Sequence, residues 1–303
     1  DIARNGTLVY APGVDAAVGR LAGLKAGGVP EPLPMDAGDF QRYDLSPNRR
    51  YMAVSTPGAE GYELRIHDLR DGQHFTWLRG EYIGQPLWSP DGEELLITMG
   101  DSTRWSILGG SPGPGTRPDT VFRGEWDALA PDLSNYHDAH TVIGRIYPAS
   151  VSVRFNPAVK PTQFDTVLTG SSFASLSPSG RLIAYQTSEG QVIVTSFPVA
   201  GRRRQVAAGG AEPLWLTPTT VIYRSGVSWY TVRVDPDTGE PQGAPTFWAR
   251  DPRFSDTSGW SNRLGHDGGI IYLQGPEQTS ASYLRVIPNW VAQMKAAVDG
   301  ASR

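Results

Sequence analysis

The chain has 303 residues and a net charge of −4, with Lys, Arg, Asp and Glu scattered singly, so it lacks the basic face of an electrostatic nucleic-acid binder. Cysteine is absent, which excludes a disulfide framework and a thiolate metal site. No run approaches the roughly 18 apolar residues needed to span a bilayer, and 35 Gly with 25 Pro point to many short strands and turns.

In chain order, the sequence opens at Asp1 without a Met, and "DIAR" looks trimmed beside the later "QRYDLSPN", so it reads as a portion of something longer. "DIARNGTLVY" is the first of seven related hairpins, followed by "YDLSPNRRYMAV", "PLWSPDGEELLI", "PDLSNYHDAHTVIG", "ASLSPSGRLIAY", "PLWLTPTTVIY" and "NRLGHDGGIIYL". The clearest copy places Ser89, Pro90, Asp91 and Gly92 at the four positions of a type I turn, where Ser opens, Pro presets φ and Gly closes. Apolar runs on both sides make it a β-hairpin. Equivalent residues are Ala3, Ser46, Ser89, Ser134, Ser177, Thr217 and Gly265, giving steps of 43, 43, 45, 43, 40 and 48 residues. Within one step, "YELRIHDL" and "GQHFTWL" supply two more alternating strands.

A period of this length suits a four-stranded propeller blade. The fold expectation is therefore an all-β propeller over residues 1–288, with repeats beginning near 1, 39, 81, 125, 172, 211 and 253. Seven blades are expected, or six if the incomplete first and last repeats merge. "GGSPGPGTRPD", Gly109 to Asp119, is a loop inside one repeat rather than a domain boundary. "RRR" at Arg202 to Arg204 reads as a solvated outer turn. The tail 289–303 reads as a helix capped by Asn289, with Trp290, Val291, Met294, Ala297 and Val298 on one face, packed on the propeller or projecting from it.

Candidate chemistry is sparse. Ser111 in "GGSPG" matches a Gly-x-Ser-x-Gly pattern, but a nucleophile elbow needs a strand before it and a helix after, and "PGPGTRPDT" follows instead. His137, Asp138 and His140 form the densest group of metal-ligand types, although in a strand the two histidines would face opposite sides. No catalytic residue, resident metal or cofactor is expected. Where new repeats begin, an acid precedes an aromatic: Asp39-Phe40, Glu81-Tyr82 and Glu125-Trp126. In a propeller these positions belong to one channel mouth, where they could hold a cationic or amphipathic ligand. Alternatively the aromatics wedge the blades apart while the acids face water.

The "LWSPDG" turn repeated at about 43 residues is similar to the WD40-like, or PD40, repeats of TolB-type propellers. "NGTLVYAPG", "LSPSGRLIAYQTSEGQVIVTSFP", "GGAEPLW" and "VIPNW" resemble the propeller that follows the transmembrane helix in bacterial receptor-like serine/threonine kinases. The resemblance implies a bacterial, extracytoplasmic sensor or binding module, periplasmic or at the cell surface, tethered through an upstream helix. A kinase domain would lie before Asp1, because the chain carries no Gly-rich phosphate loop, His-Arg-Asp or Asp-Phe-Gly motif. The leading functional expectation is non-catalytic binding of a protein or small ligand at the rim or channel. Its alternatives are a structural subunit of a larger membrane assembly and a metal-dependent hydrolase of lactonase type with Glu81 and Glu125 as ligands.

Overall fold

The computed structural model describes residues 7–10, 18–101, 103–125, 131–146, 151–159, 163–256, 260–275, 285–291 and 294–295. The reason for the repeated Ser-Pro turn is visible at the buried serine. In the first complete copy the Ser46 hydroxyl donates to Asn48 Oδ1 at 2.8 Å and accepts the Tyr51 backbone N–H at 2.9 Å. Ser89 bonds Asp91 and accepts from Glu94 N in the same way, and Ser177 pairs with Ser179 and accepts from Leu182 N. One hydroxyl thus satisfies the first N–H of the returning strand and fixes the turn's third side chain. The fourth turn position has left-handed backbone, at φ 75 for Gly92 and 67 for Gly180.

Each hairpin opens a sheet. Blade 1 runs outward through Arg42–Leu45, Tyr51–Gly58, Gly61–Asp68 and His74–Gly80. In blade 2 the inner strand is split into Tyr82–Ile83 and Leu87–Trp88, followed by Leu95–Gly100, Arg104–Gly110 and Asp119–Glu125. Blade 3 spans Pro131–Asp138 to Asp165–Thr169, blade 4 Ser171–Leu176 to Arg204–Ala207, and blade 5 Ala211–Thr217 to Thr246–Arg250. Blade 6 is composite. Its inner strands, Asn262–Leu264 and Ile270–Gln274, come late in the chain, and its outer strands, Arg20–Leu24 and Glu31–Pro32, come from the start.

The core is distributed as one apolar cluster in each of the six seams between blades. Strand alternation explains how. Ile270 and Tyr272 face blade 5, whereas Ile271 and Leu273 face blade 1. Leu95 and Ile97 face blade 1, whereas Leu96 faces blade 3. Because both faces of a strand are buried, "ELLITM" and "GIIYLQ" are continuous apolar runs rather than alternating ones.

The expected seven blades are therefore corrected to six, the alternative count. The first hairpin copy does not start a blade: Leu8–Tyr10 pairs with Arg285–Ile287 as a separate two-stranded ribbon, with Val9 opposite Val286. Among the described residues the last repeat contributes only the two inner strands of its sheet, and Arg20–Leu24 continues it by pairing along Ile270–Gln274, Arg20 opposite Gln274 and Leu24 opposite Ile270. The expected C-terminal helix is also corrected: the elements formed by the described residues are all strands, and of the tail only Trp290, Val291, Met294 and Lys295 are described with helical backbone. Asn289, expected as its cap, has φ 53, left-handed rather than the extended backbone of an N-cap. Ala297 and Val298 lie outside the described residues, and no helix among those described is long and apolar enough to cross a membrane.

Candidate functional site

The inner strands bring charged side chains to the propeller axis, where they pair across the ring in two layers. Arg42 of blade 1 donates to Asp132 of blade 3 at 2.5 Å, both nearly buried. Nearer the Ser-Pro turns, Arg263 of blade 6 donates through Nε to Asp44 of blade 1 at 2.9 Å and through Nη1 to the Ser134 carbonyl of blade 3 at 3.3 Å. Asp44 Oδ2 also accepts the Trp88 backbone N–H of blade 2 at 2.8 Å. Four blades are thus tied together at the axis by charge-assisted bonds.

Above this floor, on the turn side, opens a funnel of about 300 Å³ to which all six blades contribute. Its wall includes Trp88, Asn135, Ser175 and Leu214, and its rim Pro47, Pro90, Tyr136 and His266. His266 is exposed and held at φ 53 in the blade 6 turn. Burial, together with the charges of Glu94, Asp91 and Asp138, pushes the Tyr136 hydroxyl up to about 12, so it stays a neutral donor at physiological pH. Through Pro90 and Tyr136 the funnel adjoins a cleft of about 690 Å³ at the blade 2–3 seam, where Asp91, Glu94, Asp119 and Asp138 gather. The funnel is lined by hydroxyl, amide and aromatic groups over an internally neutralised floor, an arrangement suited to holding a polar chain segment.

The opposite mouth is braced internally. Glu212, at φ 52, accepts the backbone N–H groups of Ser261 (2.9 Å) and Asn262 (3.1 Å) and pairs with Arg224 at 3.3 Å. Burial raises its pKa, opposed by Arg224 and by the Ser261 bonds. It staples blade 5 to the start of blade 6.

No family model matches this chain. Among solved structures, TolB from Acinetobacter baumannii superposes with a TM-score of 0.56 at 14% identity, covering 76% of this chain and 66% of that one. A TolB-named protein of Agrobacterium tumefaciens gives 0.57 at 14% identity over 85% of this chain and 99% of that one. The fold is that of the TolB-type β-propellers. The fold itself is widely shared: the Cps50 (Swd1) propeller domain of Myceliophteria thermophila gives 0.52, at 14% identity over 68% of this chain and 71% of that one. By sequence, 58 residues are 38% identical to the uncharacterized peptidase y4qF of Sinorhizobium fredii, covering 18% of this chain and 8% of that protein.

On this TolB-type frame the acid–aromatic pairs named from the sequence occupy blade junctions with differing surroundings. Phe40 is 6% exposed and packs in the blade 6–1 seam with Tyr43 and Leu273, while Asp39 accepts from the Gln41 amide. Glu81 is exposed between Gly80 and Tyr82. The half-buried Tyr82 ring already carries a cation, the Arg42 guanidinium at 5.7 Å from its centroid. Glu125 ends the outer strand of blade 2 opposite Arg104, and Trp126 lies outside the described residues. His137, Asp138 and His140 sit at the blade 3 turn on the acidic cleft. His137 Nε2 lies 4.0 Å from Asp138, and the His140 backbone N–H donates to Asp138 at 2.8 Å. Among the described residues no group of three His, Asp or Glu is arranged to hold a metal ion. Ser111 lies in a loop between two strands, its carbonyl accepting from Thr116, whose hydroxyl accepts from Trp77 Nε1.

The axial residues were missed although a signal existed. Asp44, Asp132 and Arg263 each stand two residues before the turn positions Ser46, Ser134 and Gly265. Aligned repeats that alternate acid, acid and arginine at one inner-strand position announce cross-ring pairing.

Proposed function

We propose that the chain is a non-catalytic binding propeller that seats a protein partner in the axial funnel, outside the cytoplasm. The observation that carries this is the funnel's construction: every blade contributes to its wall, while its buried charges satisfy one another and leave hydroxyls, amides and rim aromatics for a partner. The channel carboxylates Asp44 and Asp132 are each held by an arginine, a poor setting for the divalent ion a lactonase would need. Extracytoplasmic placement and a sensor role rest on the resemblance carried by the repeated turns.

The test is site-specific photocrosslinking in the native host. A photoreactive residue at His266 or Pro90 should give one discrete protein adduct, and the same residue at Val199, 79% exposed on the outside of blade 4, should not. Adducts from Val199 and none from the funnel would overturn the reading. The 58-residue likeness to a peptidase supports a second reading, in which the funnel admits peptides to a catalytic unit on the same polypeptide. Peptide hydrolysis by the full natural polypeptide, lost when His266 is replaced by a bulky residue, would favour it.

A further inference from the structure

The blade 6–1 seam differs from its neighbour at two equivalent positions. In four repeats the turn residue's N–H bonds a carbonyl at the start of the returning strand: Ser46 to Tyr51, Ser89 to Glu94, Ser177 to Leu182 and Gly265 to Gly269. At the blade 1–2 seam that residue, Tyr51, stacks on Trp88 with centroids 6.2 Å apart, which fills the seam. At the blade 6–1 seam the equivalents are Gly269 and Leu45. No ring is available, and a cavity of about 480 Å³ remains there, walled by Pro32, Leu33, Leu45, Leu69 and Ile271.

The polar end of this cavity is as unusual as its walls. Lys25 of blade 6 and Arg49 of blade 1 converge on one carboxylate oxygen, Asp267 Oδ2, at 3.0 and 3.1 Å. Two cations share one anion, and both remain more than half exposed, with donors to spare. Arg49 is also held in left-handed backbone, φ 59, at the turn position where blades 2 and 4 have Gly92 and Gly180. A long cationic side chain sits where glycine would be relaxed, a backbone outlier that points to a role for Arg49 beyond the turn. Glu31 is the other carboxylate on the wall, exposed on the outer strand, so an anionic head group is directed to the Arg49 side.

We propose that this seam cavity binds a small amphipathic anion, an aliphatic chain lying between Leu33, Leu45, Leu69 and Ile271 with a carboxylate head on Arg49 and Lys25. The cavity size falls in the range of ligand pockets, and apolar walls with a few convergent polar groups are what such ligands require. Because blade 6 is assembled from both ends of the chain, a ligand bridging it to blade 1 would latch the ring. Binding should therefore raise the melting temperature, and the rise should grow with the logarithm of ligand concentration once that exceeds Kd.

The experiment uses the 303-residue protein with decanoate, its uncharged counterpart decanol, and the short anion acetate, followed by calorimetric titration and thermal unfolding. Decanoate should bind and raise Tm, decanol should bind about tenfold or more weakly, and acetate should have no effect at matched concentration. Arg49→Gly should weaken decanoate about tenfold without lowering Tm, since it removes the head contact and the backbone strain together. Leu45→Trp should abolish binding by filling the seam as Trp88 does next door. Asp267→Asn should tighten decanoate by releasing both cations. Equal binding of decanoate and decanol, or an Arg49→Gly protein that binds decanoate as well as the parent, would overturn the proposal. So would binding that survives in a folded Leu45→Trp protein.

Discussion

His67 and His74 lie directly opposite one another on the two outer strands of blade 1, their rings stacked with centroids 4.7 Å apart. Burial, and then the neighbouring His74 and Arg65, push the His67 pKa from 6.5 down to about 4, with Asp36 acting the other way. The folded protein therefore prefers neutral His67, whereas the unfolded chain takes up the proton near its ordinary pKa. Between pH 6.5 and about 4 the unfolded state binds more protons, so stability declines as pH falls through that window and is unaffected above it. His67→Phe keeps a ring on His74 and removes the proton. Urea unfolding of this variant should show a flatter dependence on pH across that window than the parent. An unchanged slope would mean that the acid sensitivity resides elsewhere.

At the scale of the element, the Ser-Pro turn makes a graded prediction. Ser46 is fully buried, and its hydroxyl is the acceptor for the Tyr51 N–H, so Ser46→Ala should cost about 1–3 kcal/mol, the range for a buried donor left unmade. Ser134 occupies the same repeat position but donates to the Ile143 carbonyl instead, and a carbonyl tolerates the loss of one partner better than an N–H does. Ser134→Ala should therefore cost less, about 1 kcal/mol or below. Equal losses in chemical denaturation of the two variants would show that the hydroxyl's direction is irrelevant. This contrast also explains what could be read in advance. The hairpins at Ser46, Ser89 and Ser177 are legible because every bond that specifies them lies within five residues. The pairing of Arg20–Leu24 with Ile270–Gln274 links opposite ends of the chain, and nothing local in "RLAGL" names its partner. The same holds for the funnel, whose residues are drawn a few at a time from six separate repeats, and for the seam cavity, defined by what Gly269 and Leu45 fail to fill.

For the whole molecule, the question is what keeps six blades in register when each seam is a separate apolar cluster. Seam packing joins only neighbours, but the axial pairs reach further: Arg42 to Asp132 joins blades 1 and 3, and Arg263 joins blade 6 to both Asp44 and Ser134. Buried ion pairs add little net stability against an apolar alternative, yet breaking one side leaves an uncompensated charge. Asp44→Leu should thus destabilise by about 3–5 kcal/mol, because it strands Arg263 and also orphans the Trp88 N–H. Adding Arg263→Met should recover part of that loss, giving a coupling of about 0.5–3 kcal/mol in a double-mutant cycle measured by urea unfolding. The recovery should be incomplete, since Trp88 N–H and the Ser134 carbonyl stay without their charged partners. Strict additivity of the two substitutions would show that the guanidinium and the carboxylate are solvated independently. The axis would then be a wet channel rather than the closed floor on which a funnel-seated partner would rest.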